Sequence, residues 1–489
     1  MALANEATAM AAAEEVQFCL KVMMMKESNK VLYAEVDNDF ADVLLSFLTL
    51  PLGTIVRLLI KHYGNKAPII GSLSSLYAGL LNLDSCHFWT EEGKLMLLNP
   101  RNSYGFQCSR LKLQIDDTPP ATQCFACENF TCASMYYKMT CLCSTLRNIM
   151  TGRELEIEAQ SADKSVFTAQ TASFLLTDDL QILTNTSTSL LQVLKLNGIG
   201  DTSVLEERTL IFGLKEIMEL LKRSLVSQTP ITDVILSISS AAGTLNKRQK
   251  FSASTKYESD ALPQTNENVS SDSKKIALKA LVQKSTHRVL LAQTRHEFID
   301  FLFSLLIIPL GRVQFLLGKS TCLGSINNLY RSISNWEDVD YMMSKEAVDA
   351  LLDPQIPPYY LSSYQILSLN QQSSSAVHFR YKRGRYFYTT TPDLGSTPMK
   401  MIDPKGHDSF VKGRTMYMVT DDLVVSTPSS AFIISTLNRM KIPVSDVEEQ
   451  ELGIGIEEAL SILKASLFST SALSDGLKPF LMRQQKQEK

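Results

Sequence analysis

Residues 18–59 align on residues 276–317 without a gap, at an offset of 258, and 16 of the 42 positions are identical. Chance alone gives on the order of two or three identities in such a window, so the match reads as an internal repeat. The identities include Phe40/Phe298, Asp42/Asp300, Ser46/Ser304 and the triplet Pro51-Leu52-Gly53/Pro309-Leu310-Gly311. The match resumes at Gly71-Ser72 and Gly324-Ser325, returns at Thr177-Asp178-Asp179-Leu180 and Thr420-Asp421-Asp422-Leu423, and ends at residues 213–225 and 455–467. Order is kept while the offset drifts to 242, which is the trace of a tandem duplication with insertions. A chain of 489 residues would otherwise suggest about three unlike domains. The repeat predicts two related units instead.

The boundaries follow from composition. Residues 1–15 read as a disordered tail and 16–238 as the first unit, with a Cys-rich insertion near 124–143. Residues 239–275 read as a flexible linker, 276–480 as the second unit and 481–489 as a polar tail. The linker holds eight Ser and few large apolar residues, so it cannot offset its ordering entropy by burial. The formal charge of −3 sums −7 for residues 1–238, +2 for the linker and +2 for the remainder. Such balance argues against a dedicated polyelectrolyte binder.

Each unit predicts a hairpin, over 16–25 and 31–36 in the first and 276–283 and 289–292 in the second. A helix follows from Asn38 or Asp39, with Phe40, Val43, Leu44, Phe47 and Leu48 on one buried face. Leu44 and Leu302 should both be buried. Further helices are expected near 54–62 and 72–83. A strand is expected over 173–176 or 416–419, then helices over 189–196 or 431–440 and over 213–225 or 455–468. The closing helix should bury Leu214, Ile217, Met218 and Leu221. Strands and helices alternate without regular crossover spacing, so the fold class is α+β: two tandem copies of one unit joined by a linker.

The most apolar stretches, 43–60 and 298–317, are each broken by Pro-Leu-Gly and carry Arg57, Asp300 and Arg312. They read as buried helices, not membrane spans. Residues 1–15 contain no Lys or Arg and three Glu, unlike a signal or transit peptide. Nine cysteines without a secretory signal predict thiols or a metal site and a cytoplasmic or nuclear protein.

Catalytic motifs are mostly wanting. Gly318-Lys319-Ser320 lacks the earlier glycine of a phosphate-binding loop and reads as a helix end. His296-Glu297 lacks the second zinc-protease histidine, whose place Asp300 takes. The Thr-Asp-Asp pairs read as turns, because adjacent strand residues face opposite ways. Arg380, Lys382, Arg383 and Arg385 interleave with Tyr381, Tyr386 and Phe387, a pattern able to contact a polyanion. The first copy shows no equivalent of that segment.

Cys124, Cys127, Cys132, Cys141 and Cys143 lie within twenty residues, and any four could ligate a structural zinc. Reduced structural or redox-reactive thiols are the competing reading. Residues 371–409 of the second copy contain no cysteine, so the shared fold cannot require the metal.

Phe18-Cys19-Leu20-Lys21-Val22, the segments 29–35 and 47–59, and Met416-Tyr417-Met418-Val419-Thr420-Asp421-Asp422-Leu423 together resemble a family. It is the plant-restricted family catalogued as domain of unknown function 674 (DUF674). The resemblance spans nearly the whole chain apart from the linker. It implies a plant source and supplies no catalytic residue to carry over.

The reading that follows is a non-enzymatic interaction or scaffold module with a protein partner. One alternative is an enzyme or small-ligand binder with its site between the copies. Another is a zinc-containing protein associated with nucleic acid.

Overall fold

A computed structural model describes residues 16–118, 123–136, 139–141, 143, 153–157, 165–242, 275–318, 323–335, 341–372, 377–382, 385–389, 395–413 and 415–487. The opening hairpin forms because apolar residues alternate: Phe18, Leu20, Val22 and Met24 all face the core from β1 (Phe18–Met25). Strand β2 (Val31–Asp37) pairs with it antiparallel. Asp37, one residue before the expected cap, starts α1 (Asn38–Leu45) by accepting from the Phe40 N–H at 2.9 Å. Pro51 opens α2 (Leu52–Tyr63), followed by α3 (Leu73–Asn82) and α4 (Glu91–Leu98).

The first half continues with β3 (Gln123–Ala126), β4 (Cys132–Ser134), β5 (Arg153–Ile157), β6 (Ser173–Thr177) and β7 (Ile182–Thr184). It closes with α5 (Ser187–Leu196), β8 (Leu205–Phe212), α6 (Leu214–Ser224) and α7 (Pro230–Ala242).

The second half runs through equivalent elements in the same order. These are β9 (Ile276–Gln283), β10 (Arg288–Thr294), α8 (His296–Ser304), α9 (Leu310–Leu317), α10 (Ile326–Ser334) and α11 (Lys345–Leu352). Next come β11 (Val377–Lys382), β12 (Arg385–Thr389), β13 (Thr397–Met401), β14 (Tyr417–Thr420) and β15 (Val425–Ser426). Last are α12 (Ser430–Met440), β16 (Val447–Ile454), α13 (Ile456–Phe468) and α14 (Ala472–Gln487).

Among the described residues the fold is mixed α/β with three sheets. Two are antiparallel and share one plan: β7-β6-β2-β1-β8 and β15-β14-β10-β9-β16. The third is a closed barrel, β11-β12-β5-β3-β4-β13, to which each half gives three strands.

The halves interlock. Pro51 and Pro309, from the repeated triplets, form a reciprocal bridge, with the Leu52 N–H on the Ile308 carbonyl and the Leu310 N–H on the Leu50 carbonyl, both at 3.0 Å. The Ser72 hydroxyl donates to the Ser469 carbonyl, and its counterpart Ser325 to that of Ser227. One continuous apolar core takes in both halves, including Leu44 and Leu302, each 0 % exposed.

Several expectations need correcting. Leu214 is 49 % exposed, because the first turn of α6 overhangs the core that Ile217, Met218 and Leu221 enter. Residues 239–242, expected in the linker, belong to α7, and 481–487, expected as a tail, belong to α14. The expected tail 1–15 and linker residues 243–274 lie outside the described residues. Strands β8 and β16 were not anticipated: both are edges with one neighbour, so only Phe212 in the first and Leu452 and Ile454 in the second are buried, too few positions to mark a strand.

Candidate metal centre and barrel cleft

The barrel brings together the two segments that carry chemistry in the sequence. Strands β3 and β4 form the Cys hairpin, and β11 and β12 form the basic–aromatic hairpin. The seams between halves are parallel, β12 on β5 and β4 on β13. Since β3 runs antiparallel to β4 and β5, and β11 to β12 and β13, the central strands β3 and β11 point the same way. Both hairpin turns therefore sit at one end of the barrel. The basic hairpin does have a first-half equivalent, and it is the Cys hairpin. The divergence of the two sequences hid this.

Strand alternation sorts the five cysteines. Cys124 points into the barrel with Ala126, Ala133 and Met399, and is not part of the cluster. Burial pushes its thiol up to about 12. The Sγ atoms of Cys127, Cys132, Cys141 and Cys143 all lie within 4.8 Å of one another, and only Cys143 is exposed. In this structure Cys141 and Cys143 form a disulfide.

The turn geometry favours the thiolate at Cys127. The Cys132 N–H donates to Cys127 Sγ and the Cys143 N–H to Cys141 Sγ, both at 3.3 Å, and the Thr131 hydroxyl lies 3.4 Å from Cys127 Sγ. Burial raises the Cys127 thiol, but these donors outweigh it and hold the group below its usual value. A zinc with Zn–S bonds of about 2.3 Å makes a tetrahedron with edges of about 3.8 Å. Cys127 and Cys143 are already 3.7 Å apart. The four residues could hold a metal.

Beside the cluster opens a cleft of about 1410 Å³. Its wall is built by the Cys127–Cys132 turn and by Met139, Thr140 and Cys143 from the first half. The second half adds Phe379, residues 397–403 and Gly406. Phe130, with φ +52°, stacks on Phe379 at 4.4 Å and Tyr386 at 4.9 Å, so the Cys turn is pinned on the opposite hairpin. The sequence reading missed Phe130 and this cleft. The stack joins residues some 250 positions apart and has no local signature.

Of the predicted polyanion contacts, Arg380 is half-buried in β11, and Lys382 pairs with Arg385 across the hairpin. Arg383 and the side chains of Lys382 and Arg385 lie outside the described residues. Tyr381, between Arg380 and Lys382, is 61 % exposed.

The buried acids are structural and come in equivalent pairs. Asp42 accepts from the Val166, Phe167 and Thr168 N–H groups and the Thr168 hydroxyl. Asp300 accepts from the Phe410 and Val411 N–H groups and the Ser362 hydroxyl. Each clasps a segment that bridges to the other half, Thr168 to Met342 and Val411 to Phe88. Asp178 accepts from the N–H and hydroxyl of Thr232, and Asp421 accepts from the Ser474 N–H, so each holds the start of a closing helix. The next acids, Asp179 and Asp422, turn back to Thr177 and Thr420. The paired carboxylates thus diverge, as a turn requires.

Burial lifts Asp300 to about 7, against its hydrogen-bond donors, and Asp178 to about 6. Folded Asp300 therefore holds its proton at pH values where the unfolded chain, with a carboxyl pKa of about 3.9, has lost it. The stability due to that proton is fully present below about pH 4 and is lost as pH rises through about 7. The unfolding free-energy difference between wild type and Asp300→Asn should narrow from pH 4 to pH 8 in urea titrations. A constant or widening difference would contradict this assignment.

No helix among the described residues is long and apolar enough to cross a membrane. Neither the curated proteins nor the solved structures contain a match to the chain. A family model described as "protein of unknown function (DUF674)" matches residues 14–457, and the chain belongs to that family.

Proposed function

We propose that this chain is a non-enzymatic interaction module, built by tandem duplication, whose barrel cleft takes a protein partner. In this reading the four-thiol cluster is a structural zinc centre kept reduced in the cytosol or nucleus. The size of the cleft carries the proposal. Small-molecule sites occupy about 300–1,000 Å³ and enclose most of their ligand. A cleft of about 1410 Å³, lined along the whole of β13, suits a length of polypeptide better. The buried carboxylates support the same reading, since each is spent on clasping backbone at equivalent places in the two halves.

The alternative, a small-ligand site between the halves, is favoured by one observation: both halves line the cleft. The two readings separate with cleft variants. Thr397 and Lys400 are exposed on its wall, so Thr397→Trp and Lys400→Glu should leave thermal stability unchanged. A stoichiometric protein partner from native extract should be lost in both variants. Retention of that partner in both, or a small molecule co-purifying in its place, would overturn the proposal.

A further inference from the structure

We infer that the thiol centre is redox-gated: Cys141 and Cys143 alternate between two zinc ligands and a disulfide, so that zinc is held only in the reduced state. This rests on the structural-zinc reading above. The geometry places both states within reach of one backbone. The four sulfurs lie close enough for one tetrahedral ion, and two of them, two residues apart, are also close enough to bond to each other. The two states exclude one another, because a disulfide sulfur has no thiolate charge to offer a metal.

Access picks the first reacting thiol. Cys143 is exposed and lines the cleft, whereas Cys127, Cys132 and Cys141 are buried. With a peroxide as oxidant, the Cys143 thiolate attacks one oxygen. The S–O bond forms, the O–O bond breaks and hydroxide leaves. The Cys141 thiolate then attacks the Cys143 sulfur. The S–S bond forms, the S–O bond breaks and a second hydroxide leaves. Two protons turn the hydroxides into water, and the two thiolates have given two electrons to the peroxide. Cys127 and Cys132 alone cannot complete four-coordination, so zinc leaves to solvent and these thiolates take up protons. A dithiol reduces the Cys141–Cys143 disulfide through a mixed disulfide, ending as a disulfide itself, and the two restored thiolates take zinc back from solution.

The consequence reaches the cleft. Zinc would tie the Cys127–Cys132 turn to the Cys141–Cys143 segment, and that turn carries Phe130 against Phe379 and Tyr386. Oxidation removes this tie and leaves the Phe130 stack alone to hold the wall that meets a partner.

The test uses the full chain, reduced, loaded with zinc and freed of excess metal and reductant without air. Metal analysis should find about one zinc per chain. Hydrogen peroxide should then release that zinc to a metallochromic dye in step with a Cys141–Cys143 disulfide in peptide mass maps. Dithiothreitol should restore binding. Cys124→Ala, outside the cluster, should behave as wild type. Reduced protein without zinc would overturn the zinc reading itself. Zinc retained through peroxide treatment, or released with a Cys127–Cys143 or Cys127–Cys132 disulfide, would overturn the gating alone.

Discussion

Gly71→Ala is expected to cost about 2–5 kcal/mol of folding stability, and Gly324→Ala a similar amount, because each change adds two penalties. Both glycines have positive φ, +43° and +47°, a conformation that costs an L-residue about 1–2 kcal/mol. Both also press on backbone that cannot give way. A Cβ at Gly71 would lie 2.4 Å from the Ser466 carbonyl oxygen and 2.7 Å from the Leu467 carbonyl carbon. A Cβ at Gly324 would lie 2.7 Å from the Ser224 carbonyl oxygen and 3.0 Å from that of Ser227. Overpacking of this kind typically adds about 1–3 kcal/mol. Gly198 separates the two terms: its φ is +69°, yet nothing lies within 4 Å of an added Cβ. Gly198→Ala should therefore cost only about 1–2 kcal/mol. Guanidinium denaturation of the three variants measures this. If Gly71→Ala shifted the midpoint no more than Gly198→Ala, the close approach of α13 would be refuted.

These two glycines explain why the fold was partly legible. Gly71-Ser72 and Gly324-Ser325 stand out as a repeat because each loop grips the end of the other half's helix, α13 or α6, where neither a side chain nor another backbone angle fits. Phe40, Asp42 and the Pro-Leu-Gly triplets likewise occupy buried positions with fixed partners. The hairpins and the Thr-Asp-Asp turns were readable for a local reason: alternation and turn chemistry act over a few residues. Leu180 and Leu423, with φ of +64° and +67°, even place equivalent turns in the same left-handed conformation.

The barrel was not readable, for the opposite reason. Its strands are three to six residues long, and its seams join β5 to β12 and β4 to β13, across the two halves. Nothing in either segment encodes such distant partners, and the equivalent hairpins share no residue pattern. The cysteines show the limit within a site. Their number and spacing suggested four ligands from five candidates, but only strand register removes Cys124.

Expressing residues 1–242 and 275–489 as separate chains should give two fragments that fail to fold as monomers alone and assemble one-to-one when produced together. The break falls among residues 243–274, outside the described structure, so no described contact is cut. What decides the outcome is how much core each half lends the other. The turn Ser46–Thr49 packs on α9, and its counterpart Leu305–Ile307 packs on α2. Phe47, Leu48, Leu305, Leu306 and Ile307 are at most 1 % exposed in the intact chain. Bared at about 1.5–3 kcal/mol each, the two in the first half cost it about 3–6 kcal/mol and the three in the second about 5–9 kcal/mol, a large part of the about 5–15 kcal/mol that stabilises a whole domain. Each half would also lose the partners of its bridging segments, Ala169 to Tyr341 and Lys412 to His87, stranding backbone groups beside the clasps of Asp42 and Asp300. The barrel would open into two three-stranded pieces with unpaired edges. A half that stays soluble should therefore do so by pairing with a second copy of itself, which offers an equivalent surface. Size-exclusion chromatography with light scattering and denaturant titration of each fragment gives the answer. A monomeric half with a cooperative transition near that of the intact chain would mean that the interlocked contacts lie on top of two self-sufficient folds.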